Sequence, residues 1–85
     1  MNMVEAKPIG KVSSYFSHIG VAAIELKDKL KVGDKIRIKG STTDLTQTVS
    51  SMQIEHDSVK EAKKGDSVGI KVNDKVRPND LVYKA

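Results

Sequence analysis

The side chains most able to form a chemical site are six cations that fall within thirteen consecutive residues. Only Asp28 and Asp34 oppose them in this segment, and the charges of the remaining chain cancel, so the segment accounts for the formal net charge of +4. A basic patch of this kind attracts phosphate groups, with an affinity that falls as salt rises. The sequence therefore predicts a surface that contacts RNA or a ribonucleoprotein, unless the lysines only form a solvated strand face or protect a sheet edge. The six cations are Lys27, Lys29, Lys31, Lys35, Arg37 and Lys39.

A second candidate site is the aromatic pair Tyr15-Phe16 with the nearby His18. Neighbouring residues of a strand point to opposite faces, so one ring is expected in the core and the other in solvent. The outward ring and His18 would then form a small contact surface for a nucleic-acid base or a protein partner. The alternative is that both rings are buried at one end of a barrel.

Catalytic and metal-binding motifs are not evident in this sequence. It contains no Cys and two His, and the Glu55-His56-Asp57 run cannot converge on one ion if it forms a strand. Ser17-His18 lies in no nucleophile elbow. The Gly10-Lys11-Val12-Ser13 run lacks the upstream glycine of a phosphate-binding loop, because Glu5 stands there. We therefore expect no enzyme activity, metal site, cofactor or bound nucleotide.

The dominant pattern along the chain is alternation of apolar and polar residues, which indicates half-buried strands. In Lys35-Ile36-Arg37-Ile38-Lys39, for example, the isoleucines share one face and the three cations the other. The pattern predicts six strands, over residues 9–16, 21–26, 35–39, 46–54, 68–72 and 81–84.

Turn signals precede three of these strands, at Gly33-Asp34, Gly65-Asp66 and Asn79-Asp80. Residues 58–64 are the one helical candidate, since Ser58 and Glu61 have capping-box spacing. Short strands with almost no helix predict an all-β fold, either a small closed barrel or a sandwich. We expect one domain over residues 1–85, with residues 1–6 frayed. No apolar run is long enough to span a membrane and no leader opens the chain, so we expect a cytoplasmic protein without a membrane partner.

The order of strands and turns resembles domain 2 of translational GTPases such as elongation factor Tu. The resemblance runs through segments 20–26, 30–38, 49–53, 59–69 and 76–82, and it includes the Lys31-Val32-Gly33-Asp34 turn into an alternating strand. It implies a six-stranded, antiparallel closed β-barrel that resembles a free-standing, elongation-factor-like protein without the GTPase domain. What it implies for function is a non-catalytic module that contacts RNA or a ribonucleoprotein through the basic strand. The alternative is an accessory barrel that docks on a larger protein and contacts no nucleic acid.

Overall fold

The computed structural model describes residues 7–55 and 57–85, and these residues form ten β-strands and no helix. Accordingly, this part of the chain holds no helix that is long and apolar enough to cross a membrane. Residues 1–6, for which fraying was predicted, and His56 lie outside the described residues. The strands are β1 (Gly10–Phe16), β2 (Val21–Leu26), β3 (Leu30–Lys31), β4 (Lys35–Lys39), β5 (Asp44–Thr48), β6 (Met52–Ile54), β7 (Asp57–Val59), β8 (Glu61–Ala62), β9 (Ser67–Lys71) and β10 (Leu81–Lys84).

Eight of the strands form one antiparallel sheet in the order β5-β4-β10-β1-β2-β9-β6-β7, and β3 pairs separately with β8. The all-β class is therefore confirmed. The six-stranded closed barrel is not, because the ladder of the large sheet leaves β5 and β7 as its edges. Part of the difference comes from residues 46–54, which form two strands instead of one. After β5 the amide of Val49 still bonds to the carbonyl of Asp34, at 2.8 Å, and the chain then separates from its partner β4. The next strand, β6, pairs with β9 instead.

The predicted helical turn over residues 58–64 is wrong, since this stretch forms β7, β8 and the beginning of a turn. Ser58 and Val59 lie opposite Gln53 and Met52 in the β6–β7 ladder. Val59 also packs against the core. Cross-strand pairing and burial outweigh a capping signal that has too few following residues to propagate a helix.

The core consists of aliphatic side chains from the inward positions of the strands. Ile24, Ile36, Ile38 and Ile70 are fully buried, as the alternation in β2, β4 and β9 predicts. Each such side chain contributes about 1.5–3 kcal/mol through removal from water. The same alternation places the polar residues of these strands on the outer face.

A buried amide joins the edge strand β5 to the far end of β9. Gln47 is almost fully buried; its Nε2 donates to the carbonyl of Lys71 at 2.9 Å, and its Oε1 accepts from the amide of Asn73 at 2.8 Å. One side chain thus links two strands that the backbone ladder does not pair. It satisfies two backbone groups at the place where the curled sheet comes back on itself.

One turn geometry recurs three times, each time directly before a strand of the large sheet. In each copy the aspartate side chain accepts the amide of the residue three positions earlier, and its own amide bonds back to that residue's carbonyl. The third position has positive φ, at 98°, 93° and 77°, which glycine and asparagine tolerate best. The copies are Lys31–Asp34, Lys63–Asp66 and Arg77–Asp80.

The third copy also explains why residue 40 is a glycine. Asp80 is buried, and its carboxylate lies against Gly40 at the end of β4, where any Cβ would overlap it. The other carboxylate oxygen accepts the Arg77 amide at 2.8 Å. The close approach anchors the turn before β10 to the β4–β5 hairpin.

Candidate functional site

The structure divides the predicted basic segment into two separate groups. Lys35, Arg37 and Lys39 lie on the outer face of β4, because Ile36 and Ile38 between them point into the core. We call these three residues the basic strand face. The register places Tyr83 opposite Arg37, and Leu81 opposite both Lys39 and Lys11. Tyr83 and Leu81 are half-buried there.

Arg37 is not an unpaired cation, because it forms a two-pronged ion pair with Asp44 on β5. Its Nε and one terminal nitrogen donate to the two carboxylate oxygens, both at 2.9 Å. The hydrogen bond from Arg37 is the main reason that the pKa of Asp44 falls below its ordinary value of 3.8, and the positive charges of Arg37 and Lys39 act in the same direction. The same hydrogen bond raises the pKa of Arg37. Asp44 therefore neutralises part of the charge of the basic strand face.

The other three predicted cations lie between β2 and the end of β3, before the turn that leads into β4. The amide of Lys27 bonds to the carbonyl of Ile9 at 2.7 Å as the chain leaves β2. Lys29 and Lys31 line a pocket of about 530 Å³. Lys63 and Lys84, which sequence reasoning did not select, line the same pocket. Lys63 carried a signal, since Lys63-Lys64-Gly65-Asp66 repeats the pattern of Lys31-Val32-Gly33-Asp34.

The aromatic candidate residues lie at the turn between β1 and β2. Tyr15 is half-buried and packs against the core, whereas Phe16 is 43% exposed. His18 is exposed within the turn, and the neighbouring Ile19 is 55% exposed. The turn is held by bonds from the Ile19 and Gly20 amides to the carbonyl of Phe16, at 3.2 and 2.9 Å. We call Phe16, His18 and Ile19 the hairpin-end surface.

No cluster of three or more His, Cys, Asp and Glu side chains suited to a metal ion occurs among residues 7–55 and 57–85. Within the same residues, the ion pairs are Arg37–Asp44 and Lys84–Asp34, the latter at 3.4 Å. The surface is thus marked by charge and by a few exposed apolar side chains.

Curated relatives of this chain are named as peptidases. The chain is 49% identical over 76 residues to an uncharacterized protease of Methanocaldococcus jannaschii, a match that covers 88% of this chain and 19% of the protease. It is 41% identical over 78 residues to a collagenase of Porphyromonas gingivalis, a match that covers 89% of this chain and 22% of the collagenase. The chain therefore spans about a fifth of the length of the curated relatives that it matches.

Solved structures with the same fold come from a longer protein as well. Two crystal structures of the C-terminal domain of a Geobacillus thermoleovorans protein, described as a U32 peptidase, superpose with TM-scores of 0.87 and 0.86. They cover 92% and 91% of this chain and 99% and 90% of those domains, with 21% sequence identity. At this identity the likeness shows a shared fold.

The prediction that the protein is not an enzyme is wrong in the light of these relatives, which carry the names protease and collagenase. It rested on the absence of a nucleophile, paired carboxylates or a metal cluster from 85 residues. The matched stretch is about a fifth of each relative. An argument from these residues says nothing about a catalytic centre formed over a much longer chain.

The resemblance to domain 2 of elongation factor Tu holds for the domain, although the relatives are named as peptidases and not as translation factors. The family model described as elongation factor Tu domain 2 matches residues 29–80, which include β3 to β9 and the three repeated turns. These residues make up more than half of the chain. The chain therefore belongs to the elongation factor Tu domain 2 family.

Proposed function

We propose that this chain is a protein-binding domain of a peptidase and that it holds protein substrates for the enzyme. The observation that carries the proposal is the 49% identity over 88% of this chain to one fifth of a protease. A module that is shared at this level by a protease and a collagenase is best explained by a task common to both, and both act on protein chains by their names.

The hairpin-end surface supports a protein partner. Phe16 and Ile19 are two of the three large apolar side chains that are exposed among the described residues, and they lie within four positions of each other at one turn. Exposed apolar side chains that cluster are more typical of interaction sites than scattered ones. His18 adds a polar group within the same turn.

The test is a titration of the ¹⁵N-labelled chain with gelatin, the denatured form of collagen. We expect shifts or broadening of the amide signals of residues 16–20. The double variant Phe16→Ser/Ile19→Ser should weaken binding, whereas Val32→Ser should not. Val32 is the matched control because it is an exposed apolar residue at a different turn. Absence of any gelatin-induced change would overturn the proposal.

A second candidate function is contact with RNA through the basic strand face. It is supported by the exposure of Lys35, Arg37 and Lys39 on one face of β4. The ion pair between Arg37 and Asp44 counts against it, because that pair would have to open for Arg37 to contact a phosphate.

Anisotropy of a labelled mixed-sequence RNA, titrated with the chain over a range of salt concentrations, tests this candidate. RNA contact predicts micromolar binding whose log–log salt slope becomes shallower when Lys35, Arg37 and Lys39 are replaced by Ala. An unchanged slope in that triple variant, or no binding at low salt, would exclude this face as an RNA site.

A further inference from the structure

The pocket beside β3 and β8 is lined by two matching sets of residues. Eight of its nine lining residues form four pairs of positions that are thirty-two residues apart, and Lys84 is the ninth. The pairs are Lys29 with Glu61, Leu30 with Ala62, Lys31 with Lys63, and Asp34 with Asp66.

A local two-fold relation joins the two sets. Leu30 and Ala62 are equivalent in the two copies and are also direct partners in the antiparallel β3–β8 ladder. The turns that follow them match in detail: the carboxylates of Asp34 and Asp66 accept the amides of Lys31 and Lys63 at 3.1 and 3.0 Å. The pocket therefore presents a lysine and a turn aspartate from each of two sides, Lys31 with Asp34 and Lys63 with Asp66.

Three lysines of the pocket are left available to a ligand. None of Lys29, Lys31 and Lys63 lies within 4 Å of a carboxylate among the described residues, since the two ion pairs there involve other side chains. Asp34, by contrast, already accepts a backbone amide and pairs with Lys84. Leu30 and Ala62 are buried beneath these charges and add an apolar part to the lining.

We propose that this pocket binds an acidic segment of a protein chain, with Asp or Glu side chains of that segment paired to Lys31 and Lys63. The proposal rests on the proposed function and names a second site within it. The volume of about 530 Å³ falls within the range of roughly 300–1,000 Å³ that is usual for ligand pockets.

The charges of the pocket favour a peptide over a nucleic acid. Glu61 and Asp66 line the same pocket as the lysines, and the phosphates of a nucleic acid offer no hydrogen-bond donor to these carboxylates. A peptide alternates acceptors with amide donors, and its amides would bond to these carboxylates while its acidic side chains reach the lysines.

The test uses a tetraglutamate peptide blocked at both ends, with tetraglutamine as the uncharged comparison, titrated into the ¹⁵N-labelled chain. We expect tetraglutamate alone to shift the amides of residues 31–34 and 63–66. The double variant Lys31→Gln/Lys63→Gln should raise Kd at least about tenfold, whereas Lys35→Gln/Lys39→Gln, which removes the same charge from the basic strand face, should raise it less than about twofold. All four lysines are exposed, so both variants should fold.

Three results would overturn the pocket proposal. They are equal losses of tetraglutamate affinity in the two double variants, amide signal shifts confined to β4, or tighter binding of a labelled RNA than of tetraglutamate at the same residues. If tetraglutamate fails while gelatin still shifts residues 16–20, the pocket proposal falls and the protein-binding function stands. If neither probe binds, both fall.

Discussion

Leu30 and Ala62 are cross-strand partners, and they occupy equivalent positions in two copies of one turn-and-strand unit. This coincidence places a local two-fold axis at the β3–β8 pair. The two copies then lead into β4 and β9, which are separated by β10, β1 and β2 in the order of the large sheet. The repeated segments 29–34 and 61–66 thereby form both the entry to two core strands and most of the lining of one pocket.

The two turn glycines should be equally sensitive to substitution. Gly33 and Gly65 have φ of 98° and 93°, and a Cβ at either would meet no atom within 4 Å, so the cost is backbone strain alone. We expect Gly33→Ala and Gly65→Ala each to lower the free energy of unfolding by about 1–2 kcal/mol in urea titrations. Gly33→Asn should cost less, since Asn79 holds the equivalent position in the third turn. Equal costs for Ala and Asn would contradict this explanation.

Loss of the Gln47 amide should open the junction between β5 and β9. Gln47→Leu keeps the size of the side chain but leaves the Lys71 carbonyl and the Asn73 amide without their partner. We expect a loss of about 1–3 kcal/mol in the free energy of unfolding. Hydrogen exchange at the Asn73 amide should become faster than global unfolding allows. Gln53→Leu is the control, because Gln53 is exposed on β6, and it should leave that amide protected.

The Arg37–Asp44 pair should make the free energy of unfolding depend on pH in the acid range. The hydrogen bond from Arg37 lowers the pKa of Asp44 in the folded state. The stabilisation by this pair is therefore present above the ordinary pKa of 3.8 and is lost as pH falls through the folded-state pKa of Asp44. The difference in unfolding free energy between the wild type and Arg37→Gln should therefore shrink below pH 3.8 and at high salt. NMR titration of the Asp44 carboxyl should show its pKa rise in Arg37→Gln. Arg37→Lys, which keeps the charge but not the two-pronged bond, should give an intermediate pKa.

The neighbouring rings of β1 should differ in their effect on stability. Tyr15 packs against the core, so Tyr15→Ala should cost roughly 1–3 kcal/mol, less than for a fully buried ring. Phe16 is 43% exposed, and Phe16→Ala should change the free energy of unfolding by less than about 0.5 kcal/mol. Urea titrations of both variants measure this difference. A large loss in Phe16→Ala would mean that the ring supports the fold and is not reserved for a partner.

Several elements could be predicted from the sequence because their signals are local. Strands β2, β4 and β10 have the predicted bounds, since alternation of side chains and the preceding turn are both contained in a few residues. The helical prediction for residues 58–64 failed for the opposite reason: the pairing of Ser58 with Gln53 is a contact that no local pattern in residues 58–64 describes. The relation to peptidases could not be predicted either, because it depends on proteins about five times as long.

By itself, the sequence determined the all-β class, the outward orientation of Lys35, Arg37 and Lys39, and the turns built on Gly33, Gly65 and Asn79, because backbone preferences and side-chain alternation act over neighbouring residues. Only the tertiary structure decided which side chains meet. Asp44 lies beside Arg37 and pairs with it, so Arg37 is not an unpaired cation. Lys63 and Lys84 line the same pocket as Lys29 and Lys31. These contacts depend on the order of strands in the sheet, which burial of the whole core selects and no single segment encodes.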